Sequence, residues 1–220
     1  MSSFIEGIDV SSNQGAIDWT SVVQGSISFC FARAALGARS VDSRFTANWR
    51  GVSNAGLIRD AYHVFWPSAD SSQQADHFVS VVGALGPSDL ARALDLEEVY
   101  PRGDRQHDIW TFIPAAQRLP MVRDWRNRVE QALGMRPLIY TRQNFNQTLL
   151  GEGIQALAGY PLWVSHYTDA PQPHYPATWK SWTFWQYSDH GQADGLTGGV
   201  DLDRFNGTVA ELQVLTKTSS

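Results

Sequence analysis

Cysteine is almost missing from this chain: Cys30 stands alone, so no disulfide can close within it. It sits in the apolar run Ile27–Ala34, which reads as a buried, inert thiol. Lysine is nearly as scarce, with Lys180 the only one before the polar tail Lys217–Ser220. There is no run of Lys or Arg, and the formal net charge is −5. The basic stripe that a nucleic-acid surface requires is therefore absent. No apolar stretch approaches the roughly 20 residues of a membrane span. Met1-Ser2-Ser3-Phe4-Ile5-Glu6 has neither the charged nor the apolar part of a secretory leader. The expectation is a soluble domain whose route of export is open.

Aromatic residues are abundant. Nine Trp, seven Tyr and ten Phe occur in 220 residues, and Trp and Tyr offer flat amphipathic faces that suit sugars as well as cores. The length fits one domain spanning 1–220, with its core at about 4–215.

Eight runs read as strands: Phe4–Val10, Ile27–Ala34, Leu57–Trp66, Leu90–Glu97, Arg136–Thr141, Pro161–Ser165, Trp182–Ser188 and Gly199–Phe205. Helical spacing marks Ser43–Ala55, Ser71–Val82 and Met121–Leu133, with a short helix starting near Ile17 and a last one through Val209, Leu212 and Leu215. Tyr100–His107 and His166–Thr178 read as loops. Strands alternate with helices in the first half, as in parallel β/α units, whereas the second half is strand-rich with short connections. The expected fold class is α/β, an irregular flattened β/α barrel resembling a TIM barrel, with about eight strands and fewer helices.

The run Ala93-Leu94-Asp95-Leu96-Glu97-Glu98 concentrates the chemistry. In a strand, Asp95 and Glu97 share one face, roughly 6–7 Å apart at Cα, and Glu98 falls on the other. Asp9 and Asp201 also stand near strand ends. In a parallel barrel such ends converge on one mouth, where clustered carboxyls raise one another's pKa and favour acid/base work. Retaining glycosidases hold their carboxyls about 5–5.5 Å apart and inverting ones about 6.5–9.5 Å. The strand spacing falls between the two and leaves both open.

Seven motifs resemble the glycoside hydrolase family 25 lysozymes, the Chalaropsis-type N-acetylmuramidases. They are Gly7-Ile8-Asp9-Val10-Ser11 with Gln14-Gly15 and Ile17-Asp18-Trp19; Ala61-Tyr62-His63; Leu94-Asp95-Leu96-Glu97; Pro137-Leu138-Ile139-Tyr140-Thr141; Pro161-Leu162-Trp163; Phe184-Trp185-Gln186-Tyr187-Ser188; and Val200-Asp201-Leu202 with Phe205-Asn206-Gly207. They keep the family's order from residue 7 to residue 207. The resemblance implies cleavage of the β-1,4 bond between N-acetylmuramic acid and N-acetylglucosamine in peptidoglycan. Glu97 matches the general acid/base, Asp95 the second acid of the pair, and Asp9 and Asp201 the acids of the first and last strands. It also implies net retention through the substrate's 2-acetamido group, assisted by Asp95. Two departures stand out: Arg33, followed by Ala34-Ala35-Leu36-Gly37, replaces a usual Lys and Thr-Glu-Gly, and Val64 replaces a Phe.

Tyr62, Tyr140 and Trp163 are the expected sugar contacts, whereas His63, Trp182 and Trp185 are expected to pack in the core. No cofactor or metal is expected, because none of the six His forms the i, i+4 pair of a helical zinc motif. The expected partner is the peptidoglycan glycan strand, met by a monomer on the wall side of the membrane. The rival function is a non-catalytic glycan-binding barrel, which would keep the aromatics and dispense with the acids.

Overall fold

A computed structural model describes residues 4–142, 144–145 and 149–216, with the backbone alone at 152. The expected polar tail Lys217–Ser220 lies outside the described residues. The chain folds in the order β1 (Ile5–Val10), α1 (Trp19–Gln24), β2 (Phe29–Leu36), β3 (Ser40–Val41), α2 (Phe45–Asn54), β4 (Ile58–Val64), α3 (Ser71–Val82) and β5 (Ala93–Asp95). There follow α4 (Ala115–Leu133), β6 (Leu138–Thr141), β7 (Leu162–Ser165), β8 (Phe184–Gly191), β9 (Val200–Phe205) and α5 (Val209–Val214).

The strands form one sheet in the order β1-β9-β8-β7-β6-β5-β4-β2-β3, and β1 also pairs with β2. That pairing closes a barrel, with β3 left as a short antiparallel flap on β2. Neighbours run parallel from β1 through β2, β4, β5, β6 and β7 to β8. Among the described strands, β9 alone runs against both of its barrel neighbours, β8 and β1. Helices α1 to α4 make crossovers in the first half. Past β6 the described connections hold helical residues at 144–145 and 149, the 3-10 helix Gly151–Leu157, an irregular loop and a hairpin. Among the described residues no regular ring of eight helices therefore surrounds the barrel.

Strand alternation sorts side chains into two apolar layers. Phe29, Phe31, Leu138, Trp163, Phe184 and Phe205 fill the barrel. Phe31 stacks on Trp163 with ring centroids 4.0 Å apart and meets Phe184 edge-on. Ile8, Cys30, Val52, Phe78, Trp125, Trp182 and Trp185 pack outside, between strands and helices. His63 lies in that outer layer, stacked on Trp125 and bonded to Gln74 at 3.2 Å. Burial drives its pKa down to about 3, so it is a neutral packing group. A Cβ at position 7 would overlap the Phe29 ring, which explains the glycine there.

Several boundaries differ from expectation for local reasons. The helix expected over Met121–Leu133 runs back to Ala115 as α4, with Pro120 inside it, where the missing N–H forfeits one intrahelical bond. The run expected as a strand over Leu90–Glu97 pairs only over Ala93–Asp95, so Glu97 lies past the strand end. β2 extends to Leu36 through a register shift between Arg33 and Ala35.

At the other end of β4 and β5, Arg92 is fully buried. Its guanidinium lies 3.1 Å from Asp89 and 3.9 Å from Asp60, and its backbone N–H donates to Asp60. Arg59 adds a second pair to Asp89 at 2.6 Å. Burial outweighs Arg92 at Asp60 and pushes its pKa up to about 7. Removing one member of such a group strands the others in the core. Arg92→Met is expected to destabilise the fold by about 3–5 kcal/mol, measured as a fall in the urea midpoint.

Candidate active site

The carboxyl ends of the parallel strands open into a cleft that gathers Asp9, Asp95, Glu97, Asp201, Tyr62, Tyr140 and Trp163. All the residues expected from sequence therefore meet in one place. The cleft also takes in Arg33, Tyr167, Gln186 and Asp189, which were not expected there.

Each residue reaches the cleft by strand register. Asp9 lies beside Phe31 on one neighbour and opposite Asp201 on the other. Asp95 pairs with Val64 and Tyr140, and Tyr140 with Trp163. Glu97 follows two residues beyond Asp95 on the same side, its carbonyl accepting a bond from Trp110 Nε1 at 3.0 Å. Glu98 points elsewhere and pairs with Arg142. Trp163 forms the floor: it is 1% exposed, and its Nε1–H donates to Asp203 at 2.7 Å.

Gln186 joins the two sides of the cleft. Its Oε1 accepts from Tyr140 at 2.8 Å and from Tyr167 at 2.9 Å, while its Nε2 donates to Asp9 at 2.7 Å. Strand alternation could have found Gln186, because its neighbour Trp185 faces out. The same period applied to Asp201 would have found Asp203. Tyr167 lies in an irregular loop, where no period exists to reveal it.

The electrostatics are those of crowded, dry acids. Burial raises Asp9 well above the usual carboxylate range, and Asp203 adds to the rise. Burial and then Asp9 push Asp201 up to about 8. Asp203 also rises to about 8, mainly through burial, against the bond from Trp163. Asp95 is raised by burial and by Glu97, with Arg33 opposing. Burial lifts Glu97 too, against the pull of Arg142. Arg33 is held to Asp42 at 2.8 Å and to Ser12 Oγ at 3.2 Å. Among the described residues no group of three or more His, Cys, Asp or Glu side chains could hold a metal ion.

A barrel whose carboxyls and phenols converge on the carboxyl rim above an aromatic floor has the architecture of a glycan-cleaving α/β barrel. The chain belongs to glycosyl hydrolases family 25, whose model matches residues 8–196. It is 35% identical to lysozyme M1 of Streptomyces globisporus, over 99% of this chain and 73% of that protein. The bacterial lysozyme of Streptomyces coelicolor superposes with a TM-score of 0.90 at 33% identity, over 98% of each chain. A family GH25 lysozyme from Aspergillus fumigatus gives 0.87 at 26% identity, over 98% of this chain and 100% of that one. The protein is accordingly a peptidoglycan-degrading glycoside hydrolase of the muramidase kind.

A carboxyl with a raised pKa in the fold keeps its proton at pH values where the unfolded chain has lost it, so stability falls as pH rises. For Asp201 and Asp203 the window runs from the ordinary value of 3.8 to about 8. The melting temperature is expected to drop between about pH 5 and about pH 8. Asp201→Asn should raise it at the upper pH by about 2–4 °C, the shift that roughly 1 kcal/mol produces at this size. At the lower pH the substitution should change little.

Proposed function

We propose that the enzyme cleaves the β-1,4 bond between N-acetylmuramic acid and N-acetylglucosamine, with Glu97 as general acid and then general base. Glu97 gives its proton to the glycosidic oxygen as the bond to C1 breaks. The carbonyl oxygen of the substrate's 2-acetamido group attacks C1 from the other side, forming a cyclic oxazolinium ion. Asp95 accepts the acetamido N–H and balances the developing charge. Water then attacks C1, Glu97 takes its proton, and the β configuration is restored.

One observation carries this role for Asp95. Its Oδ1 is buried without a hydrogen-bond partner, while the residue lines the cleft beside Glu97. Such an acceptor costs stability unless something in the reaction fills it, and an amide N–H matches it. The raised pKa of Glu97 supports a proton donor near neutral pH. Asp9, tied to the phenols of Tyr140 and Tyr167 through Gln186, and Asp201 opposite it hold the sugar's hydroxyls. Tyr62 and Tyr140 form the wall and Trp163 the floor beneath the ring. The enzyme works as a monomer on the wall side of the membrane.

Glu97→Gln is expected to lower kcat by about 10²–10⁴-fold in cell-wall turbidity clearing, with binding to sacculi retained. Equal inactivity of wild type and variant would favour the non-catalytic glycan binder. Mass spectrometry of released muropeptides should show reducing-end N-acetylmuramic acid, and proton NMR should show the β-anomer first. Early α-anomer would remove the acetamido route. Arg142→Met should move the alkaline limb of the kcat/KM profile to higher pH, because Arg142 holds the Glu97 pKa down.

A further inference from the structure

A second cavity opens beside the catalytic cleft, and Tyr167 lines both. Its other walls include Arg142 after β6, Ser165 and His166 at the end of β7, and His174 from the loop beyond. Among the described residues no acid lines it, whereas Asp9, Asp95, Glu97, Asp189 and Asp201 all line its neighbour. The mouth thus passes from a carboxyl-lined part to a part lined by hydrogen-bond donors.

The two histidines are organised. Their rings stack with centroids 5.0 Å apart at 13°, and the His174 backbone N–H donates to His166 Nδ1 at 3.1 Å. Because Nδ1 accepts, the proton of neutral His166 sits on Nε2, which makes that nitrogen a donor. His174 itself is exposed. The sugar rings of the substrate carry no charge; its carboxylates hang from N-acetylmuramic acid. The carboxyl-lined cleft competes poorly for them, whereas the neighbouring wall presents guanidinium and imidazole donors.

We propose that this side cavity binds a carboxylate of the peptide branch on N-acetylmuramic acid, so that the enzyme favours peptide-bearing strands over bare glycan. The proposal rests on the muramidase reading above. Arg142, which also pairs with Glu98, supplies charge-assisted donors, His166 a further donor, and His174 the stacked support and backbone N–H that fix the donor's tautomer. Occupancy also touches Tyr167, whose hydroxyl bonds Gln186 and through it Asp9, which links recognition of the branch to the catalytic cleft.

The test compares kcat/KM on three soluble substrates. They are peptide-bearing strands, the same strands with peptide carboxylates converted to methylamides, and strands stripped by an amidase, which keep only the lactyl carboxylate. Wild type should cleave the first about tenfold better than the other two, the factor that one charge-assisted hydrogen bond carries. His174→Ala should narrow that ratio and His174→Asp should close it, with thermal melting confirming that both variants fold. Equal cleavage of native and methylamidated strands by wild type overturns the proposal. Equal cleavage of stripped strands overturns it in favour of the lactyl group, and full preference in His174→Asp overturns it as well. Failure to cleave any of the three would instead overturn the muramidase reading.

Discussion

The pairing of β9 with β1 is the constraint on which the site depends. That antiparallel register puts Asp201 opposite Asp9 and Asp203 opposite Gly7, so three carboxyls enter one dry interior from adjacent strands. They cannot all be ionised there: a charge moved from water into such a place must be paired or must take up a proton. The raised pKa values of all three express that limit. The surrounding donors serve it, since Trp163 bonds Asp203 and Gln186 bonds Asp9. Below them the stacked Phe31 and Trp163 exclude water from the floor.

The acid pair on the opposite side of the mouth is built differently. Asp95 ends a short strand, and Glu97 stands just beyond on irregular backbone tied by Trp110. A strand continuing through Glu97 would have set both carboxyls by one rigid repeat. Ending it early lets Glu97 take a position set by the helical turn Ile109–Phe112 and its tryptophan. Cations flank the pair on both sides, Arg33 near Asp95 and Arg142 near Glu97. Burial and charge therefore pull against each other at both groups, the balance a proton donor near neutral pH requires.

Much of this was legible in the chain before any coordinates. Their places near the ends of strand-like runs brought Asp9, Asp95, Glu97 and Asp201 to one mouth, alternation put Asp95 and Glu97 on one face, and the order of motifs carried the family. What escaped had physical causes. Gln186 stands next to Trp185 and Asp203 two residues from Asp201, but an amide between Trp185 and Tyr187 reads as filler until its partners are seen. Tyr167 follows a strand end, where side-chain direction has no period. The depth of Trp163, which lines the cleft at 1% exposure, was not legible either, because parallel strands covered on both faces show no polar side from which to judge it. The first turns of α4, Ala115–Pro120, lie ahead of the apolar spacing that marks Val122, Trp125 and Val129, so no period revealed them.

The antiparallel last strand also bears on how the molecule comes into being. A chain made from its N-terminus lays down β1 first and β9 nearly last, yet these two are hydrogen-bonded neighbours. The barrel is an open sheet until the hairpin of β8 and β9 arrives to seal it, and such distant pairing folds slowly. Asp201 and Asp203 ride on that final strand. The lytic cleft is thus completed last, and a growing or truncated chain carries Asp9, Asp95 and Glu97 without Asp201 and Asp203.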